Sequence, residues 1–523
     1  MQPAYHVAPR VNWLNDPNGC ELSDGQYRVA YQHNPTGPKW GDISWGVATS
    51  RDLVTWHRQP TILTTPRPEY ETLGAWSGNV LDEEFLVYSC ARALSGRGKT
   101  TDLCLADRHT GERYAHNPVL RAPEFARGDW RDPCPFHFGG KTYLLIGSTN
   151  ERNEAVVVAV ERRSRVEFAH VETPFFQLSS ELIDDDYPRM FECPDVVQLS
   201  DEVYGLKLSV GPPKGYDVLI VGTVSDDSGA PVFKPFPLLK NKPESDVRCA
   251  DLTPVKGQKA LGKVVTLDCG GAYAAQSIKV LPASDQQQNY FFGWSSDQKG
   301  LAYNGALTLP RVLTLDSKKT LRYTFAPELA KLRSGESVDG HDDGDDDCAL
   351  DLPRAWGNRF EVEWVVKVKY STNHDEDEQA EPTRLRIRDT DNHVQLEASL
   401  DFTNRHKRLI AYLSTGRCQM RAVVSEYDDA DDLLTVRLFA DGSLFEWDLH
   451  DGLSACATRS YGHRKATLAT LAVETPSSDA GVRCHSLRAW RIGGGASSSS
   501  SSFAASSSFT STASGASSSF TST

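Results

Sequence analysis

The chain has 523 residues, with 56 Lys or Arg against 70 Asp or Glu, a formal net charge of −14. That balance leaves no general electrostatic footprint for nucleic acid or an anionic membrane, and no apolar run approaches the roughly 18 residues of a membrane-spanning helix. Hydrophobic residues at 39% are enough for a large buried core, and the length suggests two or three domains.

Met1 to Arg10 has no basic stretch followed by an apolar one, so no signal peptide is read there. The sequence holds no Asn-x-Ser/Thr acceptor, Asn34-Pro35-Thr36 being the near miss. Both points lean toward a cytoplasmic or bacterial origin, with a secreted mature form left open. The 11 cysteines include no Cys-x-x-Cys pair and are expected mostly as free thiols, neither a disulfide frame nor a zinc site.

Strand signals dominate from the start. Tyr27–Tyr31 and Lys141–Ile146 are short, β-branched or aromatic, and bounded by Gly or Asp turns. Five segments share one plan: a polar or aromatic lead, an apolar strand, a polar turn and a second apolar strand. They start at Asp16, Trp76, Asp132, Glu192 and Tyr273. A repeated β-meander of this kind predicts a five-bladed β-propeller over residues 1–333, with its leads at one end of the central channel. Residues 334–350 follow, with six Asp between Asp339 and Asp347, and read as an acidic linker. Residues 351–492 return to short alternating strands, among them Phe360–Val368 and Leu434–Phe439, and predict a β-sandwich. The tail, 493–523, is Gly- and Ser-rich and is expected to be disordered. The fold class is therefore all-β, a propeller followed by a sandwich.

Three of the five leads are carboxylates: Asp16, Asp132 and Glu192. Each alone has a plainer reading, such as an Asx turn at Asp16-Pro17-Asn18-Gly19 or a solvated loop charge at Glu192. The run Asp184–Asp186 is read as solvated. Three carboxylates facing one axis repel, which raises at least one pKa. Glycoside hydrolysis needs such a set, with one carboxylate ionised and another protonated near neutrality. Trp13, Trp40, Trp76, Trp130 and Phe191 lie close by in sequence and offer flat contact area for sugar faces. Trp45 and Trp56 are expected in the core. His33 and His137 fall near the presumed site, where lone histidines are more often structural. No zinc-protease motif, P-loop, dinucleotide fingerprint or serine elbow stands out.

These motifs resemble glycoside hydrolase family 32, which holds invertases, inulinases and levanases. Trp13-Leu-Asn-Asp-Pro-Asn-Gly19 is similar to its nucleophile motif, Trp130-Arg-Asp-Pro133 to its transition-state motif and Phe191-Glu-Cys-Pro-Asp195 to its acid/base motif. Lesser matches run from Tyr31-Gln-His-Asn-Pro35 to Asp441-Gly-Ser-Leu-Phe-Glu446, so the resemblance covers nearly all of the chain but the tail. It implies a five-bladed propeller plus sandwich and a retaining mechanism on β-D-fructofuranosides. Asp16 would be nucleophile, Glu192 acid/base and Asp132 the holder of fructose hydroxyls. Retention places nucleophile and acid/base roughly 5–5.5 Å apart. Asn15, Gln32, Trp40, Trp76, Ser77, Arg131 and Tyr303 would line the sugar pocket, with no metal or cofactor. The substrate would be sucrose or a short fructo-oligosaccharide, with neither nucleic acid nor membrane as partner. Leu14, Phe191, Tyr303 and the stretch 215–222 depart from the family pattern where the leaving group should bind. Three alternatives stay open: a fructosyltransferase using the same carboxylates, a non-catalytic sugar-binding propeller, and an interaction scaffold.

Overall fold

The structure is a computed structural model. It describes residues 3–493 apart from short segments, the longest being 178–189, 237–263, 370–381 and 425–432. Among these residues, no helix is long and apolar enough to cross a membrane.

Five antiparallel sheets follow one another along the chain. Their innermost strands are Asn12–Ser23, Gly74–Val80, Trp130–Phe138, Phe191–Ser200 and Ala272–Ser277. Each packs against the next, and the fifth returns to the first, which closes the ring. The closure is hydrogen-bonded as well. Lys279–Leu281 and Tyr303–Asn304, from the fifth blade, pair in parallel with the two ends of Asn12–Ser23. Tight hairpins keep the blades regular. Asp24-Gly25 and Gly139-Gly140 all have positive φ, as the two-residue turns matching strand twist require. Gly147 lets the fourth blade approach the third, because a Cβ there would overlap the carbonyl oxygen of Phe191.

Two further sheets, of six and seven strands, form the sandwich. Along Arg359–Lys369 the residues Phe360, Val362, Trp364, Val366 and Val368 are buried at every second position. This is the period-two pattern of a strand with one face in a core. Facing residues such as Leu385, Ile387, Leu396 and Leu471 complete that core, which continues into the fifth blade through Phe291, Leu313 and Tyr323.

The stretch read as an acidic linker is corrected. Arg333–Asp339 pairs with Gly481–Ile492, and Cys348–Asp351 pairs with Leu468–Glu474, so most of 334–350 already belongs to the sandwich sheets. Charge density hid the strands: Asp339 is matched by Arg488, and Glu336 by Arg491 at 3.2 Å. Residues 494–523, nearly all of the expected disordered tail, and the run Asp184–Asp186 lie outside the described residues.

The cysteine reading is corrected too. Cys90–Cys104 and Cys348–Cys484 are disulfides, while Cys20, Cys134 and Cys193 are free. The first joins neighbouring strands of the second blade; the second joins the two sandwich sheets.

Candidate active site

The five leads converge because every innermost strand is irregular at the same place. Its register with the next strand slips between Leu14 and Pro17, Ala75 and Gly78, Arg131 and Cys134, Glu192 and Asp195, and Tyr273 and Gln276. A β-bulge takes residues out of the ladder and re-aims their side chains. Asp132, Cys193 and Ala274, all inside these bulges, have φ of 67°, 45° and 55°. Non-glycine residues adopt such angles only where the surroundings impose them. The repeat therefore encodes a repeated bulge.

Asp16 is gripped by three donors. Ser77 Oγ donates to its Oδ2 at 2.7 Å, Gln32 Nε2 to the same oxygen at 3.2 Å, and Asn15 Nδ2 to Oδ1 at 3.0 Å. These donors are themselves fixed. Gln32 Nε2 also reaches Ser77 Oγ at 2.5 Å, Trp13 Nε1 donates to Asn15 Oδ1 at 2.6 Å, and Trp40 Nε1 donates to Gln32 Oε1 at 3.3 Å. Asp132 Oδ2 accepts the Cys193 N–H at 3.0 Å, and its own N–H donates to Ser89 Oγ at 2.9 Å. Cys193 Sγ lies 3.9 Å from Asp16 Oδ2 and 3.6 Å from Asp132 Oδ2, so one residue of the fourth blade touches both aspartates.

Glu192 is held differently. Arg131 donates to Oε1 at 2.6 Å while its other arm reaches Asp129 at 3.0 Å. The hydroxyl of Tyr273 donates to Oε2. Tyr273 is the fifth lead, and the sequence reading gave it no role. The signal was its position in the repeat, since nothing in its neighbours resembles a motif.

The electrostatics divide the three. Burial raises the Asp16 pKa, against the hydrogen bonds from Ser77 and Asn15, and the nearby Glu192 charge adds to the rise. Burial, Glu192 and Asp16 push Asp132 up to about 6 in spite of Arg131. Burial also works to raise Glu192, but the Arg131 charge and the Tyr273 hydrogen bond outweigh it and hold the group below its ordinary value. These directions are the reverse of those expected for an ionised nucleophile and a protonated acid at Asp16 and Glu192. Below them, Asp195 fixes the channel floor by accepting from Ser277 N at 2.6 Å and Lys279 Nζ at 2.7 Å.

The expected pocket residues fall into three groups. Asn15, Gln32, Ser77 and Arg131 contact the carboxylates directly, as described. Trp40 and Trp76 line a cavity of about 330 Å³ beside them. Tyr303 is buried at the seam between the fifth and first blades, its strand paired with Asn12 and Trp13. Trp45 is core, as expected, with no exposed surface and its indole N–H on the Ala75 and Trp76 carbonyls at 3.2 Å. Trp56 packs edge-on against Phe292. His33 Nδ1 sits 2.7 Å from the Trp13 carbonyl and His137 Nδ1 3.0 Å from Thr142 Oγ1, both structural contacts.

Comparison with known proteins agrees with this geometry. Residues 6–324 match the glycosyl hydrolases family 32 N-terminal domain. The raffinose invertase of Escherichia coli is 30% identical over 200 residues, 37% of this chain and 40% of that protein. The levanase of Bacillus subtilis is 26% identical over 391 residues, 65% of this chain and 52% of that one. The chain thus spans about half the length of these curated relatives. Among solved structures, fructan 1-exohydrolase IIa from Cichorium intybus superposes with a TM-score of 0.71 at 19% identity, covering 94% of this chain and 97% of that one. A Bombyx mori β-fructofuranosidase gives 0.67 at 20% identity, covering 94% of each chain. With a family model spanning more than half of its residues and three carboxylates on the bulged inner strands of five blades, this chain belongs to glycoside hydrolase family 32.

Proposed function

We propose that the protein is a retaining β-fructofuranosidase that cleaves sucrose or short fructans. The observation carrying this reading is the unequal treatment of two neighbouring carboxylates. Asp16 is aimed by neutral donors only, which orient a nucleophile without neutralising it. Glu192 sits on a cation and a phenol, both able to stabilise the carboxylate left after proton donation. The names of the relatives, invertase, levanase and fructan exohydrolase, support the same substrate class.

In this mechanism Asp16 attacks the anomeric carbon of the fructosyl unit as Glu192 protonates the departing oxygen. Glu192, now ionised, takes a proton from water, which releases fructose from Asp16 with net retention. Asp132 accepts hydrogen bonds from fructose hydroxyls that strengthen as positive charge develops on the ring. Asn15, Gln32 and Ser77 hold Asp16, Arg131 holds Glu192, and Trp40 and Trp76 supply the walls.

The test is glucose and fructose release from sucrose at low and high sucrose. Equal amounts throughout are expected for water as acceptor. Glucose in growing excess would mean transfer of fructose to sugar. Silence on sucrose, inulin and levan would overturn the enzymatic reading and favour a sugar-binding propeller.

A further inference from the structure

The cavity beside the carboxylates has two unlike flanks. One is aromatic. Trp40 and Trp76 meet edge-on with centroids 5.3 Å apart, and Trp40 is tied through Gln32 to Asp16. The other flank is Lys99, the first residue of the third strand of the second blade, just after the turn closed by Leu94 N–H and Gly98 O. Its ammonium lies 4.7 Å from the centroid of the Trp76 ring. Among the described residues it forms no ion pair and donates no hydrogen bond. Asp42, the acidic residue of the same lining, is already matched by Arg67 at 3.1 Å. Burial and the Arg131 guanidinium pull the Lys99 pKa below the ordinary lysine value, while Asp129, Glu192 and Asp132 lie within its field. Lys99 thus lies in the same cavity wall as Trp76 and within the field of Glu192.

We propose that Lys99 is a specificity-determining residue for the leaving group. This rests on the fructosidase reading above. The fructosyl unit must lie over Asp16 and Asp132, deep in the channel. The sugar that departs with the Glu192 proton must lie beyond the fructosyl unit, and the cavity lined by Trp40, Trp76 and Lys99 offers it space. An unpaired ammonium with three donors beside an indole face suits a neutral sugar ring. The ring's apolar side rests on Trp76, its hydroxyls accept from Lys99, and Trp40 closes the other side. A leaving group without hydroxyls gains nothing from the lysine.

Lys99→Met keeps the aliphatic stem over Trp76 and removes the donors. Expected is a fall of about tenfold in the ratio of kcat/KM for sucrose to that for methyl β-D-fructofuranoside, mainly through KM for sucrose. Lys99→Arg should restore part of it. A parallel fall on both substrates, or an unchanged ratio, would overturn the assignment. Binding gives a second readout. In an Asp16→Asn background, followed by tryptophan fluorescence, Lys99→Met should weaken sucrose about tenfold and leave fructose affinity in place. Equal weakening of both sugars counts against Lys99. If the unmodified chain neither binds nor cleaves either fructoside, the fructosidase reading falls and takes this assignment with it. If it cleaves both and the ratio holds, only Lys99 is refuted.

Discussion

Two places in this molecule bury several charges together, and they follow opposite plans. At the seam between propeller and sandwich, Asp441 and Glu446 meet His6, Arg311 and, at 3.7 Å from Asp441, Arg359. His6 Nδ1 lies 2.8 Å from Asp441 and its Nε2 3.0 Å from Glu446, while Arg311 reaches Glu446 at 3.2 Å. Backbone donors add to this, with Ala4 and Tyr5 N–H on Asp441 at 2.8 Å and Leu309 N–H on Glu446 at 2.8 Å. At the channel, Arg131 pairs with Glu192 and also acts on Asp132, while the donors that hold Asp16 are neutral. Matched charges hold an interface and do no chemistry. Surplus carboxylates cost stability and leave a proton whose position can change. The contrast separates a clamp from a reactive site without reference to any motif.

The strongest way to break this comparison is Asp16→Asn. Turnover should fall by about four orders of magnitude or more, with the thermal midpoint unchanged or raised, since one repelling charge is gone. Retained turnover would remove Asp16 from the nucleophile's place. Glu192→Gln should cost about two to four orders on sucrose and far less on a fructoside whose leaving group needs no proton. Equal losses would argue against an acid, once release of the second product is shown not to limit the rate.

His6→Ala probes the clamp. Removing one member of a buried ion pair costs about 3 kcal/mol, so the unfolding midpoint should drop while kcat of the folded protein stays within a factor of two. The clamp also carries a pH signature. Burial alone would lower the His6 pKa, but the hydrogen bonds and charges of Asp441 and Glu446 raise it to about 9. A raised histidine pKa gives stability that is complete below the unfolded value near 6.5 and is lost as pH rises through about 9. Asp441, held below its ordinary 3.8, gives stability that is present above that value and is lost as pH falls through the lowered folded value. Thermal midpoints between pH 6 and 10 should decline in the parent chain and stay flatter in His6→Ala.

The smallest effect is the most diagnostic for the channel. Tyr273→Phe deletes a hydrogen bond that favours the ionised form of Glu192, so its pKa should rise. Because Glu192 must be protonated to act, the fraction of active protein at any pH above its folded pKa should rise, and kcat/KM on sucrose should rise there relative to the parent. An unchanged pH profile would show that Arg131 alone sets the acid.

How much of this was legible in the sequence follows from the range of each signal. Asp16, Asp132 and Glu192 stood out because a motif and a repeat marked the same positions. The blades were legible because each closes on local hairpins such as Asp24-Gly25. His6 was not, since its partners lie 435 and 440 residues away and a single histidine has no period. Cys90 and Cys104 were missed because their closeness depends on a register, Cys90 opposite Asp102, that spacing alone does not fix. The strand at Arg333–Asp339 was missed because its partner is the last strand of the sandwich.

The bulges described above also bear on how such a protein drifts. A residue inside a bulge is not matched one-to-one across the ladder, so the sheet places little demand on its identity. Chemistry at Asp16, Trp76 and Asp132, which fall inside the slips, can thus be rewritten one blade at a time while the scaffold keeps its register. A descendant could exchange a carboxylate for an amide and persist as a folded lectin, and a new reactive group could arise at Trp76 with no rearrangement of the blades. The same device that exposes the reactive groups makes them evolutionarily replaceable.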